Sequence, residues 1–230
     1  MSTTSTGRGP TGEGPTIVLA TGNRHKLTEL RRILAGSGDG PGGIRVLGLA
    51  DLPPVPPVVE DGLTFAENSV LKAGAVAAAT GLPTVADDSG LCVRALGGAP
   101  GVLSARWCGR HGDDEANLDL LLAQLAQVRD EHRTAWFACA ATLATPDGRH
   151  WTVEGRLDGR LIRDRRGTNG FGYDPIFVPD GERRTTAQLS PSEKDTISHR
   201  GRALRGLLPT VTRVVLPDRA ADDRPRPVAP

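Results

Sequence analysis

Two hydrophobic periods alternate along this 230-residue chain. Short β-branched apolar runs give way to stripes of leucine and alanine spaced three and four apart. Thr16 to Ala20 is a compact apolar run and predicts a buried strand. Gly22 interrupts it, and Leu27, Leu30 and Leu34 then fall on one face of a predicted helix. Ile44 to Leu47 reads as a second strand, followed by the proline-rich loop Pro53 to Pro57. Thr64 opens a long helix, because Glu67 three residues on completes a capping box, and Gly81-Leu82-Pro83 closes it. Pro83 to Ala86 is the next strand, and the glycine-rich stretch Gly97 to Gly112 is a loop. Asp113 to Gln127 is a leucine-rich amphipathic helix. Trp136 to Leu143 and His150 to Leu157 pair as a hairpin through Pro146-Asp147-Gly148. Ile176 to Val178 is a further short strand. Ser190-Pro191-Ser192-Glu193 then starts a last helix with cap, proline and acid in the favoured places, and Ile197, Gly201, Leu204 and Leu208 form its buried stripe. Alternating strands and helices without an internal repeat predict an α/β fold with a mixed sheet.

Composition narrows the class. Hydrophobic residues make up 38% of the chain, enough for a core, while aromatics are only 3%, so aliphatic side chains and alanine must fill it. Met1 to Pro15, rich in serine, threonine and glycine, and residues 217–230, rich in proline and arginine, read as disordered tails around one domain spanning 16–216. The net charge of +1 gives no global basic field, so a nucleic acid polymer is not an expected partner. The N-terminus lacks the apolar core of a signal peptide, and no apolar run is long enough to span a bilayer. The three cysteines, Cys92, Cys108 and Cys139, are widely spaced and suit a reducing compartment. A cytoplasmic protein is expected.

Polar clusters interrupt the apolar pattern at five places. Thr21-Gly22-Asn23-Arg24-His25-Lys26 joins a strand to a helix, where free N–H groups and the helix dipole favour an anion. An ordinary turn with a solvated lysine has the same pattern. Asp87-Asp88-Ser89-Gly90 follows a strand, the usual place for ligands of open α/β sheets, and paired carboxylates there suit Mg²⁺. A helix cap or Asx turn would use the same residues. If the strand continues that far, alternation lets only one of the two acids face a site. Glu67 is explained as a capping residue, whereas Glu60 has no evident structural duty. Asn68 and Lys72 share a helix face, turned to a site or to solvent. Gly170-Phe171-Gly172-Tyr173-Asp174-Pro175 could stack a planar ligand or form a tight turn with Phe171 in the core. Lys194, His199 and Arg200 lie on the last helix, as ligand contacts or as a solvated face.

The blocks TGNRHK, EDGLTFAENSVLKA, ADDSGL, LGGAPGVLSARW, GFGYDPIF and LSPSEKDTISHR, in this order between Thr21 and about Leu208, resemble the inosine triphosphate pyrophosphatase family. Its members hydrolyse the aberrant purine nucleotides ITP, dITP and XTP to the monophosphate and pyrophosphate. The resemblance implies an elongated mixed sheet flanked by helices, two lobes around a central cleft, and a homodimer. It implies that Thr21, Gly22, Asn23, Arg24, His25 and Lys26 hold the triphosphate with Ser89 nearby. Asp88 would be general base and Mg²⁺ ligand, and Glu60 a second metal residue. Phe171, Gly172, Tyr173, Asp174, Lys194, His199 and Arg200 would enclose the nucleotide. Donors on Lys194 and Arg200 would match a 6-oxo purine and oppose the 6-amino group of adenine. The family commonly carries an acid where this chain has Gln188. The rival readings are a pyrophosphatase for other modified nucleotides and a non-catalytic nucleotide sensor, which would not need Asp88 beside a metal.

Overall fold

The computed structural model describes residues 14–36 and 43–216, with the backbone alone for Arg24, His25 and residues 33–36. The expected tails lie outside the described residues, apart from Gly14 and Pro15. The Pro15 carbonyl accepts from the Arg45 amide at 2.8 Å. Among the described residues six strands form one sheet in the order β2-β1-β3-β4-β5-β6. β1 (Thr16–Leu19) lies parallel to β2 (Arg45–Gly48) and to β3 (Thr84–Val93). From β3 onward the pairing is antiparallel, through β4 (Thr134–Ala144), β5 (His150–Leu161) and β6 (Phe177–Pro179). The sheet is therefore mixed, as expected, and the two parallel contacts require the crossovers that α1 (Arg24–Gly36) and α2 (Phe65–Thr80) provide.

The helix ends follow their local chemistry. Thr64 Oγ1 accepts from the Glu67 amide at 3.1 Å, and Glu67 Oε2 accepts from the Thr64 amide at 3.1 Å, which closes the predicted capping box of α2. Gly81 ends that helix at φ 69°, a conformation that carries little penalty only without a Cβ. α3 (Asp114–Gln124) starts at its Asp113 cap.

Two expectations needed correction. β3 is ten residues long and carries Asp87 and Asp88 in its interior, so the acids do not follow the strand. Asp87 to Gly90 pair residue for residue with Ala141 to Ala138 of β4, and side-chain cations described below compensate the buried acid. The last helix is broken. α4 (Pro191–Ile197) ends at Ser198, whose backbone is extended (φ −64°, ψ 150°), and α5 (His199–Val215) begins anew. Ser198 Oγ accepts from the Gly201 amide at 2.9 Å, the capping role that serine prefers over a helix interior. The buried positions on α5 are His199, Arg200, Gly201, Ala203, Leu204, Leu207 and Val211, whereas Ile197 and Leu208 are only half-buried.

Apolar clusters sit at separate places on the sheet. One joins Ile17, Leu19 and Leu30 to Leu204 and Leu207 of α5. Another packs Ala73, Val76 and Ala77 of α2 on Val18 and Ala86. The third lies at the far end, where Leu118 and Leu121 of α3 meet Leu91, Phe137 and Phe177. The start of α5 presses directly on β5, because a Cβ at Gly155 would overlap the His199 carbonyl and the Ala203 amide. That contact places His199 and Arg200 beside β3.

Candidate functional site

A cavity of about 570 Å³ runs between these clusters, a volume ordinary for a small-molecule site. Thr21, Gly22, Asn23 and Lys26 line it from the β1–α1 turn. Asn23 Oδ1 accepts from the Lys26 amide at 3.2 Å, and Thr21 Oγ1 accepts from the Asn23 amide at 3.2 Å. A Cβ on Gly22 would meet no atom within 4 Å, so the space beside it is open. The side chains of Arg24 and His25 lie outside the described residues.

Alternation along β3 separates the two acids. Asp87 is buried away from the cavity, and Asp88 lines it. Asp87 Oδ2 receives Lys26 Nζ at 3.1 Å, Arg200 Nε at 3.1 Å and Ser89 Oγ at 3.3 Å, while its Oδ1 is buried without a partner. Burial opposes its ionisation, but Lys26, Arg200 and Lys72 outweigh burial and hold the carboxyl well below the usual range. Asp88 has the opposite balance. Burial raises its pKa, and the nearby Lys26, Lys72 and Asn68 offset this only in part. Asn68 Nδ2 donates to Asp88 Oδ2 at 3.1 Å, and the Ser89 amide donates to Oδ1 at 2.9 Å. Lys72 Nζ donates to the Asp87 carbonyl at 3.1 Å and faces Glu60 at 3.0 Å. The shared face of Asn68 and Lys72 thus turns to the cavity, while Glu67 serves its helix cap.

At the other end, Asp174 organises the aromatic loop. It accepts from the Phe171 amide at 2.9 Å, Lys194 Nζ at 2.7 Å and Thr186 Oγ1 at 2.7 Å. Gly172 also lines the cavity, and its amide donates to Asp114 Oδ2 at 3.0 Å. Phe171 is half-buried at the cavity wall, with Lys194 Nζ 5.2 Å and Arg200 Cζ 5.6 Å from its ring centroid. Tyr173 takes the core position that was open to Phe171. Its buried hydroxyl donates to the Ser104 carbonyl at 3.0 Å, and burial pushes its pKa up.

Lys194 and Arg200 are buried, not solvated. Each of the three Arg200 nitrogens already donates, Nε to Asp87, Nη1 to Glu29 and Nη2 to Ser89 Oγ. His199 stacks on Phe137 with ring centroids 4.9 Å apart, and its Nδ1 is buried without a partner. Burial, with the charges of Arg200 and Lys194, keeps this imidazole neutral far below its ordinary pKa. Gln188 Oε1 accepts from the Thr185 amide at 3.0 Å, so the position where an acid is common does capping work here.

Glu29 is a further charged member of this cluster, one that no motif marks. It is 4% exposed, pairs with Arg200 and approaches Lys194 at 3.8 Å. Its place three residues after Lys26 on α1 was the available signal, since i,i+3 residues share a face. Among the described residues, no group of three or more His, Cys, Asp or Glu is placed to hold a metal ion. No described helix is long and apolar enough to cross a membrane.

Comparison with known proteins agrees with this architecture. The model of the Ham1 family matches residues 17–210. The dITP/XTP pyrophosphatase of Streptomyces coelicolor is 60% identical over 198 residues, covering 85% of this chain and 96% of that relative. The crystal structure of a nucleoside-triphosphatase / dITP/XTP pyrophosphatase from Mycobacterium abscessus is similar with a TM-score of 0.69 and 52% identity, over 84% of this chain and 99% of that one. A HAM1 protein structure from Coxiella burnetii gives a TM-score of 0.76 at 39% identity, over 86% and 99% of the two chains. With the family model spanning nearly all of the described residues, the chain belongs to the Ham1 family.

Proposed function

We propose that this chain hydrolyses dITP, ITP and XTP to the nucleoside monophosphate and pyrophosphate. The observation that carries the reading is Asp88. It is a cavity-lining carboxylate whose pKa burial raises, flanked by Lys26 and Lys72, in the same cavity as Phe171. A raised carboxyl suits proton transfer near neutral pH. The names of the relatives supply the substrate class.

In this mechanism the base stacks on Phe171, and the phosphates reach toward the β1–α1 turn and Lys26. Asp88 orients a water and accepts its proton at a carboxylate oxygen. The water oxygen forms the new bond to the α-phosphorus, and the bond to the bridging oxygen of the β-phosphate breaks, so that pyrophosphate leaves. Lys26 and Lys72 counter the charge that develops.

Asp88 and Glu60 suit Mg²⁺, which takes one or two carboxylates plus waters and phosphate oxygens and needs no cage of three acids. When bound, the ion would neutralise phosphate charge and polarise the reacting phosphoryl group. Arg200, with its nitrogens committed to Glu29, Asp87 and Ser89, positions those groups. Lys194, His199 and Arg200 form the wall beside the base. The reading includes a homodimer in the cytoplasm, testable by sedimentation and by fractionation. It confines activity to residues 16–216, so a chain trimmed to that span keeps it.

Product analysis tests the reading. The protein is incubated with dITP, XTP, ITP, ATP and GTP, with and without Mg²⁺. Pyrophosphate from the first three, only with the ion, is expected. Release of inorganic phosphate, or equal kcat/KM for ATP and ITP, overturns it. Tight binding without turnover favours the sensor.

A further inference from the structure

A short 3-10 helix, Gly101–Arg106, borders the cavity through Val102, Ser104, Ala105 and Arg106. This helix is pinned on two sides. Ser104 Oγ accepts from the Leu91 amide of β3 at 2.9 Å, and the Ser104 carbonyl accepts the Tyr173 hydroxyl at 3.0 Å. A Cβ on Gly90 would overlap the Ser104 side chain and the Gly101 carbonyl, so the strand backbone lies directly against this helix. Arg106 follows two residues after the pinned serine. It is half-buried and lines the cavity together with Asp88, Ser89 and Phe171.

The charge of Arg106 is uncommitted, which sets it apart. Lys26 faces Asp87 at 3.1 Å, Lys72 faces Glu60 at 3.0 Å, Lys194 faces Asp174 at 2.7 Å, and Arg200 is held by Asp87 and Glu29. Among the described lysines and arginines of the cavity wall, Arg106 alone has a side chain with neither an ion pair nor a hydrogen bond. A strongly anionic ligand entering among cations already neutralised by carboxylates meets little net positive charge. An unpaired guanidinium on a braced segment supplies it, and its planar fork matches phosphate oxygens two at a time.

We propose that Arg106 is a substrate-binding residue that takes non-bridging oxygens of the phosphate chain. This rests on the nucleoside triphosphate reading above. The other cations are already paired with carboxylates, so Arg106 adds affinity for the phosphate chain beyond what Lys26 and Lys72 supply.

The test separates phosphate contact from structural support. Calorimetry with Mg²⁺ present measures binding of inorganic tripolyphosphate and of deoxyinosine to the wild type, Arg106→Gln and Arg106→Lys. Arg106→Gln is expected to weaken tripolyphosphate binding by about 10- to 100-fold and to leave deoxyinosine unchanged. Arg106→Lys falls between, because a point charge replaces the fork. With dITP, Arg106→Gln raises KM. Unchanged tripolyphosphate affinity, no tripolyphosphate binding by the wild type, or equal weakening of both ligands overturns the assignment. If tripolyphosphate binding depends on Arg106 but the wild type does not hydrolyse dITP, the assignment stands and the proposed activity fails.

Discussion

Asp87 and Asp88 are neighbours, both carboxylates and both buried, yet neutralising them is expected to move stability in opposite directions. Asp87 accepts from Lys26 and Arg200, each at 3.1 Å, in a place without solvent. Asp87→Asn leaves both cations facing a neutral amide. Removing one partner of a buried ion pair costs roughly 3–5 kcal/mol. At roughly 2–4 °C per kcal/mol for a chain of this size, the melting temperature should fall by about 6–20 °C. Asp88 bears an uncompensated desolvation cost, since burial raises its pKa against its cationic neighbours. Asp88→Asn removes that cost, and the amide can still meet Asn68. It should fold at least as stably as the wild type at pH 7 while losing about 10²- to 10⁴-fold in kcat.

The pH dependence separates the two acids further. The depressed carboxyl of Asp87 contributes stability that is present above the unfolded value of about 3.9 and lost as pH falls through its folded value. The raised carboxyl of Asp88 contributes stability below about 3.9, which is lost as pH rises through its folded value. Urea unfolding followed by circular dichroism reads the Asp88 effect between pH 4 and pH 7, and the Asp87 effect between pH 4 and pH 2, as midpoint shifts at constant m. An Asp87→Asn midpoint equal to the wild type, or an equal loss in Asp88→Asn, would refute this account of the cluster.

Gly155→Ala is expected to destabilise by about 1–3 kcal/mol and to raise KM for dITP, because the new Cβ pushes the start of α5 off β5; thermal melts and kinetics check this. The His199 ring should show no protonation by NMR between pH 5 and 8, since burial and two neighbouring cations hold it neutral, and a mid-range titration would contradict its environment. Glu60→Gln should raise the Mg²⁺ concentration for half-maximal turnover by about 10-fold, and unchanged metal dependence would remove Glu60 from the metal site. Gln188→Glu should leave turnover and melting temperature nearly unchanged, because a carboxylate can accept from the Thr185 amide as the present amide does.

Local chemistry made most element boundaries legible. Thr64 with Glu67, Gly81, and Ser190 with Glu193 each carry their structural reason within four residues, and each lies where the pattern places it. The errors have a common physical origin in partners distant along the chain. Charged residues are ordinarily solvated, so the pattern ends a strand before Asp87 and leaves a solvated face open for Lys194 and Arg200. Instead Arg200 reaches Asp87 across 113 positions and Ser89 across 111, and Lys194 reaches Asp174 across 20. Glu29 escaped notice for the same reason, since its partners lie beyond residue 190. Ser198 was a local signal read too weakly, because a serine followed three residues later by a glycine can cap a helix as readily as sit within one.

These distant pairings bear on how the candidate base is held. A loop could place Asp88 in the cavity, but its position would then drift with the loop. Within a ten-residue strand, Asp88 is fixed between β4 and the neighbouring Asp87, which Lys26 and Arg200 anchor from the opposite face. Asn68 from α2 then fixes one carboxylate oxygen, and the Ser89 amide fixes the other. The polar cluster that made the strand hard to read is thus what permits a carboxylate to stand inside a sheet, oriented before any substrate arrives. Preorganisation of this kind reduces the rearrangement needed at the reacting centre. It also explains why the acid that never reaches the cavity, Asp87, should matter more to folding than the one that does.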